Sequence, residues 1–518
     1  IVLDSSEATV PGARVTVRHA GLGIRREMVT TQAGLFHAVS LTPARGYEVE
    51  VARDGFALYQ ASGIEVQVGQ VVTLNVRLQV AGSATAVEVR EATPAVEQDK
   101  TGVSQVVNDS QIRNLPINGR RVDVFALLTP GVSPDGTFGL LSFRGMPGGN
   151  AFLTDGNDTT NQLYNENAGR TRISSQISAD AVQEFQVLSS GYSAEFGRAM
   201  GGVINTVTRS GSNALHGTGY WFFRNQDFNA RDRYATINPE ETRHQAGGSV
   251  GGPLRKDRLF YFFNGEITRR DFPMVNTLTR PPLFNAAGNF VGACNASAEQ
   301  CARAIRFVSR FNRVIERKAD QNLLFGKLDF RATDRHSLSA SFNFLDWNSP
   351  NGIQTGAVST AGAGVGNNGI STVKTRFGRA AWTAVLKPAV VNEFRFGWFK
   401  DRLHDYPNPG LVPPETGVVS ISVQGITGLG QPEYLPRVFP TEDRFQFADT
   451  LSWTAGRHLV KYGFDIAHLK DVQDQVFQGN GWFTYGTFTD FALDFSGNAG
   501  GEKRWQTYTQ GFGPPLTE

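Results

Sequence analysis

The sequence has no apolar run approaching the roughly 20 residues that a membrane-spanning helix requires, which excludes a helical membrane protein. It lacks charge of one sign as well. Its 50 lysines and arginines face 48 aspartates and glutamates, and the net +2 gives no reason to expect a nucleic-acid or anionic-membrane partner. Cysteine is nearly absent: Cys294 and Cys301 stand seven apart in CNASAEQC. Two such residues without further ligands argue against zinc; a small local disulfide is expected, with two reduced thiols as the alternative. Familiar catalytic patterns are missing too. There is no HExxH, no Gly-x-Ser-x-Gly and no phosphate-binding Gly-x-x-x-x-Gly-Lys, and the eight histidines are scattered. No catalytic residue, metal site or cofactor is therefore expected. Nor does the chain open on a basic segment followed by an apolar one: Ile1 leads directly into alternating residues, so the start reads as a cut and carries no information about location.

What is present is 57 glycines, 37 phenylalanines and 11% aromatics, at a mean hydropathy of −0.26. Apolar and polar residues must alternate rather than cluster, as in a lipid-facing wall with a wet interior; a large secreted β-protein shares that composition. At 518 residues the chain is long enough for two or three domains.

The fold class expected is mostly β, in three parts: a β-sandwich over 1–80, an α/β domain over 108–212, and over 213–518 part of an antiparallel transmembrane β-barrel, with a linker at 81–107. In the first part, period-2 runs at 13–19, 24–31, 34–39, 47–52, 64–68 and 71–78 predict short strands with one apolar face. In the second, Asp109 is placed to cap a helix running toward Leu115, residues 121–128 predict another, and 181–187 and 202–208 predict strands. In the third, Leu324, Gly326, Leu328 and Phe330 alternate with Lys327, Asp329 and Arg331, and after a turn at Thr333-Asp334, Leu338, Ala340, Phe342 and Phe344 alternate with Ser337, Ser339, Ser341 and Asn343. One face suits lipid and the other water. The pattern returns at Phe394, Phe396 and Trp398, and at Val460, Tyr462, Phe464 and Ile466. One tight turn near residue 334 contrasts with long excursions at 272–319, 349–370 and 402–440, and short turns on one side with long loops on the other is the asymmetry of an outer-membrane barrel. About ten strands are expected. Plugged barrels need about 22, so the barrel is expected to be truncated here and to continue past Glu518.

The stretch AVQEFQVLSSGYSAEFGRAMGGVINTVTRSGSNALHGTGYWFFRNQDFNARD at 181–232 resembles the end of the plug and the first barrel strand of TonB-dependent outer-membrane receptors of the Oar-like type. Asn114-Leu115-Pro116-Ile117-Asn118-Gly119-Arg120, Phe143-Arg144-Gly145 and Leu153-Thr154-Asp155-Gly156 are similar to earlier plug motifs of that family. Pro11-Gly12-Ala13, Gly34-Leu35-Phe36 and Gly55-Phe56 resemble a carboxypeptidase-regulatory-like domain, an accessory sandwich without peptidase activity.

The resemblance implies a receptor in the cell outer membrane, surrounded by lipid, that imports an unidentified small ligand such as a glycan, peptide or metal chelate. It also implies an inner-membrane TonB motor that pulls an extended segment ahead of the plug by strand addition. Ala86, Val87, Glu88 and Val89 are the candidate segment; a plain linker or the last strand of the front domain is the alternative reading. Asp155-Gly156-Asn157-Asp158 lacks the later glutamate of a calcium loop and reads better as a hydrogen-bonded turn. Two other functions fit the pattern: a structural or adhesive outer-membrane protein, and a soluble secreted carbohydrate-binding β-protein.

Overall fold

The structure, a computed structural model, describes residues 1–512 except 82–85, 91–101, 118–119, 135–139, 163–165, 168–172, 174, 234, 236, 280, 353–357, 360–367, 418, 431–439, 477 and 498–500. The front domain contains β1 (Val2–Asp4), β2 (Arg14–His19), β3 (Ile24–Val29), β4 (Ala44–Ala52), β5 (Leu58–Val66) and β6 (Val76–Leu78), followed by β7 (Ala86–Arg90). β1 and β6 pair in parallel and face a sheet of order β3-β2-β4-β5-β7. Alternation fills the space between them: Tyr47, Val49 and Val51 are buried on β4 with Glu48 exposed between.

Two predicted strands shrink and one is absent. Residues 34–39 form no strand, because the Gly34 N–H closes a turn on the Thr31 carbonyl at 2.9 Å and its own carbonyl accepts from Val2 at 2.8 Å. The strand expected at 64–68 is the end of β5 and stops at Val66, and the run at 71–78 is extended only over β6.

The plug follows, with β8 (Val103–Val107), α1 (Asp109–Asn114), β9 (Ala151–Thr154), β10 (Asn157–Asp158), β11 (Val182–Ser190) and β12 (Val203–Thr208). Its sheet runs β10-β9-β12-β11-β8, parallel between β9 and β12 and antiparallel elsewhere. The sheet takes in 103–107, within the stretch expected to be linker, because this segment pairs antiparallel with β11. The cap of α1 also differs from expectation. Asn108, not Asp109, is the N-cap: its side chain accepts from the Gln111 N–H at 3.1 Å, and the Gln111 side chain accepts in return from the Asn108 N–H at 3.0 Å. Asp109 sits in the first turn and pairs with Arg113 and Arg209.

From residue 216 the chain runs up and down through β13 (His216–Asn225), β14 (Thr242–Arg255), β15 (Leu259–Asp271), β16 (Asp320–Arg331), β17 (His336–Ser349), β18 (Ile370–Lys387), β19 (Val390–Tyr406), β20 (Thr441–Ala455) and β21 (His458–Val472). These nine strands form one sheet in sequence order, every neighbour antiparallel. Connections at 256–258, 332–335, 388–389 and 456–457 are short, whereas those at 226–241, 272–319, 350–369 and 407–440 are long. All short ones lie at one end of the sheet and all long ones at the other.

The outward face carries Leu324, Leu328, Phe330, Leu338, Phe342, Phe445, Phe447 and Trp453, all exposed. An apolar surface of this extent belongs in lipid. The inner face is not simply wet. Phe262, Phe325, Phe377 and Phe399 point inward and join Phe125, Phe143, Phe152, Phe185 and Ile204 of the plug in one hydrophobic core. Among the described residues the outer edges of β13 and β21 meet no further strand, and in hydrocarbon each edge has to be met by one.

The two ends of the sheet are occupied differently. At the long-loop end, α2 (Ala298–Ser309) and α3 (Phe488–Phe495) pack through Phe307, Phe311, Phe488 and Phe491 into a separate core, stapled by a disulfide between Cys294 and Cys301 with Cα atoms 6.1 Å apart. At the short-turn end sits the front domain. Asn213 donates from its backbone N–H to Gly21 and from its side chain to Ala20, both at 2.7 Å. Gly23 is required at this contact: its φ is +61°, and a Cβ there would lie 2.5 Å from the Asp257 carbonyl oxygen.

Candidate functional site

The plug meets the inner wall through a turn between β9 and β10. Asp155 has a left-handed φ of 46°, held because its backbone N–H reaches the Thr206 carbonyl at 2.7 Å and the next N–H, of Gly156, reaches the Asn205 side chain at 3.1 Å. Its carboxylate accepts from the Thr208 N–H at 2.8 Å and the Thr208 hydroxyl at 2.6 Å. From the wall, Lys327 and Arg379 each come within 3.7 Å of the same carboxylate oxygen, and the Lys327 ammonium also donates to the Thr208 hydroxyl at 3.0 Å. Burial alone would push this carboxyl up. Lys327, Arg379 and the two bonds from Thr208 outweigh it and hold Asp155 below the ordinary carboxylate range.

A second contact lies one residue pair further on. Asp158 is bridged to Arg444, a guanidinium with a side-chain exposure of only 1% that also holds Glu442 at 2.7 Å. Gln446 accepts from the Asp158 N–H at 2.8 Å and the Asn157 side chain at 3.3 Å. Asn161 donates to Asp401 at 2.8 Å, and the Gln162 N–H donates to Glu442 at 2.9 Å. On the other flank Arg120 pairs with Asp180 at 2.8 Å and lies 4.2 Å from the Tyr220 ring centroid, while Ser178 and Tyr220 both donate to Glu266. Asp155 and Asp158 of the plug are each matched by cations of the wall, and the wall carboxylates Asp401, Glu442 and Glu266 each accept from a plug donor. That suits a latch between plug and wall, since buried pairs are costly to break yet add little against an apolar contact.

The residues singled out by resemblance fall into several places. Arg120, Asp155 and Gly156 lie along the latch, whereas Arg144 and Gly145 form the turn of a small hairpin within the plug. Asn118 and Gly119 lie outside the described residues. Arg120, Arg144 and Asp155 share φ values of 54°, 51° and 46°, a conformation that side chains resist and that concentrates at functional sites. Residues 86–89 lie in β7, parallel to β5 with Val87 opposite Tyr59, which makes the segment the edge strand of the front-domain sheet. Reading the sequence missed the wall partners Arg379, Arg444, Gln446 and Asp401; their signal was the presence of charged or amide side chains at inward positions midway along strands.

Three family descriptions match the chain: "Carboxypeptidase regulatory-like domain" over 1–79, "TonB-dependent Receptor Plug Domain" over 96–203, and "Outer membrane beta barrel domain" over 207–305 and 295–511. The TonB-dependent transporter Oar of Myxococcus xanthus is 24% identical over 555 residues, covering 94% of this chain and 50% of the relative. The chain thus spans about half the length of the curated relative it matches. Among solved structures, the ferric enterobactin receptor PfeA of Pseudomonas aeruginosa aligns with a TM-score of 0.50 at 14% identity, over 72% of this chain and 50% of that one. The outer-membrane transporter YddB of Escherichia coli aligns at 0.49 and 13% identity, over 74% and 50%.

Proposed function

Since this chain belongs to the outer-membrane β-barrel family of TonB-dependent receptors, we propose that its protein takes up a small ligand across the outer membrane, driven by an inner-membrane TonB motor, and that it catalyses no reaction. The observation that carries this reading is the latch: a plug filling the inner face of the sheet and held by matched buried charges at Asp155 and Asp158. The plug also packs on the wall through Phe262, Phe325, Phe377 and Phe399; beside that apolar contact, charge pairs whose partners water can replace suit a plug that is moved and reseated. With the plug seated, the inner face of the sheet is covered, and the work of moving it is what this reading assigns to the motor. Residues 86–89 are the proposed point of application, because their backbone is already extended as β7, with one edge on β5 and the other free of strands among the described residues. Lipid around the outward face is part of the same reading.

The test is binding of the full-length receptor to the periplasmic domain of the motor protein. Val87→Pro removes a backbone donor from the strand, and the expected result is at least a tenfold loss of affinity with the barrel still folded. Full affinity in that variant moves the contact elsewhere. No binding by the unaltered receptor contradicts the motor-driven reading.

A further inference from the structure

Between the front domain and the short-turn end of the sheet lies a cleft of about 380 Å³ that opens to solvent, and each side lends it a buried-side arginine. Arg26 comes from β3, where it shares the core-facing side with Ile24 and Met28, both buried in the sandwich core. Arg331 is the last residue of β16, on the inward face with Lys327 and Asp329 and opposite Ser337 of β17. Both lie close enough to Tyr47 to act on its hydroxyl. Burial, and then the neighbouring Arg331, bring Arg26 below the ordinary arginine range, with Tyr47 and Glu393 opposing.

No side chain supplies the counter-charge. Among the described residues neither arginine makes an ion pair or a side-chain hydrogen bond, and the Arg331 Nε is buried without an acceptor. The carboxylates around the cleft serve other cations: Glu27 is bridged to Arg25, Glu393 lies 3.3 Å from Arg395, and Asp334 acts on Arg25. Asp329, two residues before Arg331 on the same face, bridges neither arginine. Drawing two like charges partly out of water without a counter-ion is costly, so docking of the front domain gains from an anion between them. The hydroxyls of Ser40, Thr42 and Ser337 line the same cleft and can each donate to an oxyanion. Two guanidinium forks with hydroxyls beside them match the oxygens of a phosphate group, which arginine bonds bidentately.

We propose that Arg26 and Arg331, with Ser40, Thr42 and Ser337, bind a phosphate group that clamps the front domain to the barrel. The cleft reaches the lipid-facing wall at the short-turn end: His336, which lines it, stacks on the outward Trp382 with ring centroids 5.9 Å apart. The same chemistry is therefore available from a free phosphate and from a phospholipid headgroup, and the two are told apart by experiment.

The test follows hydrogen exchange over residues 20–28 and 331–337 of the full-length receptor. In maltoside micelles, which carry no phosphate, titration with inorganic phosphate at constant ionic strength is expected to slow exchange in both segments saturably, by about tenfold at the end point. Arg26→Gln and Arg331→Gln should each raise the phosphate midpoint about tenfold or more, and Arg306→Gln, on α2 at the long-loop end, should leave it unchanged. A merely structural role gives the opposite sign without phosphate. Arginines that held the two parts together by themselves would let both segments exchange faster once removed, whereas relief of their repulsion leaves exchange no faster than in the unaltered protein. Should Arg26→Gln loosen the sandwich itself, seen as faster exchange at Val49 and Val51, Arg331→Gln carries the test alone. In nanodiscs containing phosphatidylglycerol, without free phosphate, slowing that Arg331→Gln abolishes assigns the site to a headgroup; slowing by inorganic phosphate alone assigns it to a solute, and either result supports the clamp. No saturable slowing from either source, an equal response by the variants, or faster exchange in the phosphate-free variants overturns it. None of these readouts involves the motor, so their failure leaves motor-driven uptake standing, and failure of motor binding leaves the clamp standing.

Discussion

Asp155 shows how a single residue couples the plug to the wall. The contacts that fix its backbone, its hydrogen bonds from Thr208 and its two cations come from three separate stretches of chain. Removing one cation leaves the carboxylate buried and half compensated. Lys327→Met is expected to loosen the plug by about 3 kcal/mol, the lower end for breaking a buried pair because Arg379 remains. The double substitution Asp155→Asn with Lys327→Met should recover part of that loss, because the half-compensated carboxylate is gone and only the Arg379 guanidinium has lost a partner. Denaturant unfolding followed by plug-specific hydrogen exchange measures both; equal losses in the single and double variants contradict the latch. The sequence displayed Asp155 through its motif and Lys327 through its inward parity, but nothing in it joined the two. Contacts across more than 150 residues depend on where the plug sits in the sheet, and that placement has no local signature.

Between elements, the turn after β5 touches β11 of the plug. The Val68 N–H donates to Glu184 at 2.5 Å, and Gly69, at a φ of +64°, lies so close to Gln186 that a Cβ would overlap its amide. Burial raises Glu184 to about 7 from an ordinary 4.5; the Val68 N–H opposes the rise and Glu65 adds to it. A carboxyl whose value is raised in the docked state favours docking when protonated. Docking is therefore firmest below about 4.5 and weakens as the pH climbs through about 7. Hydrogen exchange over residues 64–70, corrected for intrinsic rates, should show protection falling across that window, and Glu184→Gln should flatten the curve. Protection that rises with pH in the unaltered protein rules this account out. Strand existence was legible because alternation is local, as at Tyr47, Val49 and Val51. The helix cap and the strand ends were less so: Asn108 and Asp109 are both good caps in isolation, and only the reciprocal bond with Gln111 decides between them.

At the scale of the whole molecule, the three parts sit in series: front domain at the short-turn end, plug against the inner wall, folded loops at the far end. The period-2 pattern of 324–344 displayed the membrane-facing wall in the sequence, since each outward residue is apolar whatever its neighbours do. The inner wall was only half legible. Lys327 and Asn343 read as facing water, yet Phe325 and Phe377 on the same face pack the plug, because the lumen is filled with protein and an inward aromatic is as well served there as in lipid.

The claim beneath all of this is that the sheet stands in a bilayer with alternate residues toward lipid. Spin labels placed one at a time on residues 338–344 of the full-length protein in lipid test it directly. The expected result is oxygen accessibility high at Leu338, Ala340, Phe342 and Phe344 and low at Ser339, Ser341 and Asn343, with a water-soluble nickel reagent excluded from the outward set. Uniform accessibility along the strand, or nickel reaching the outward positions freely, would contradict it.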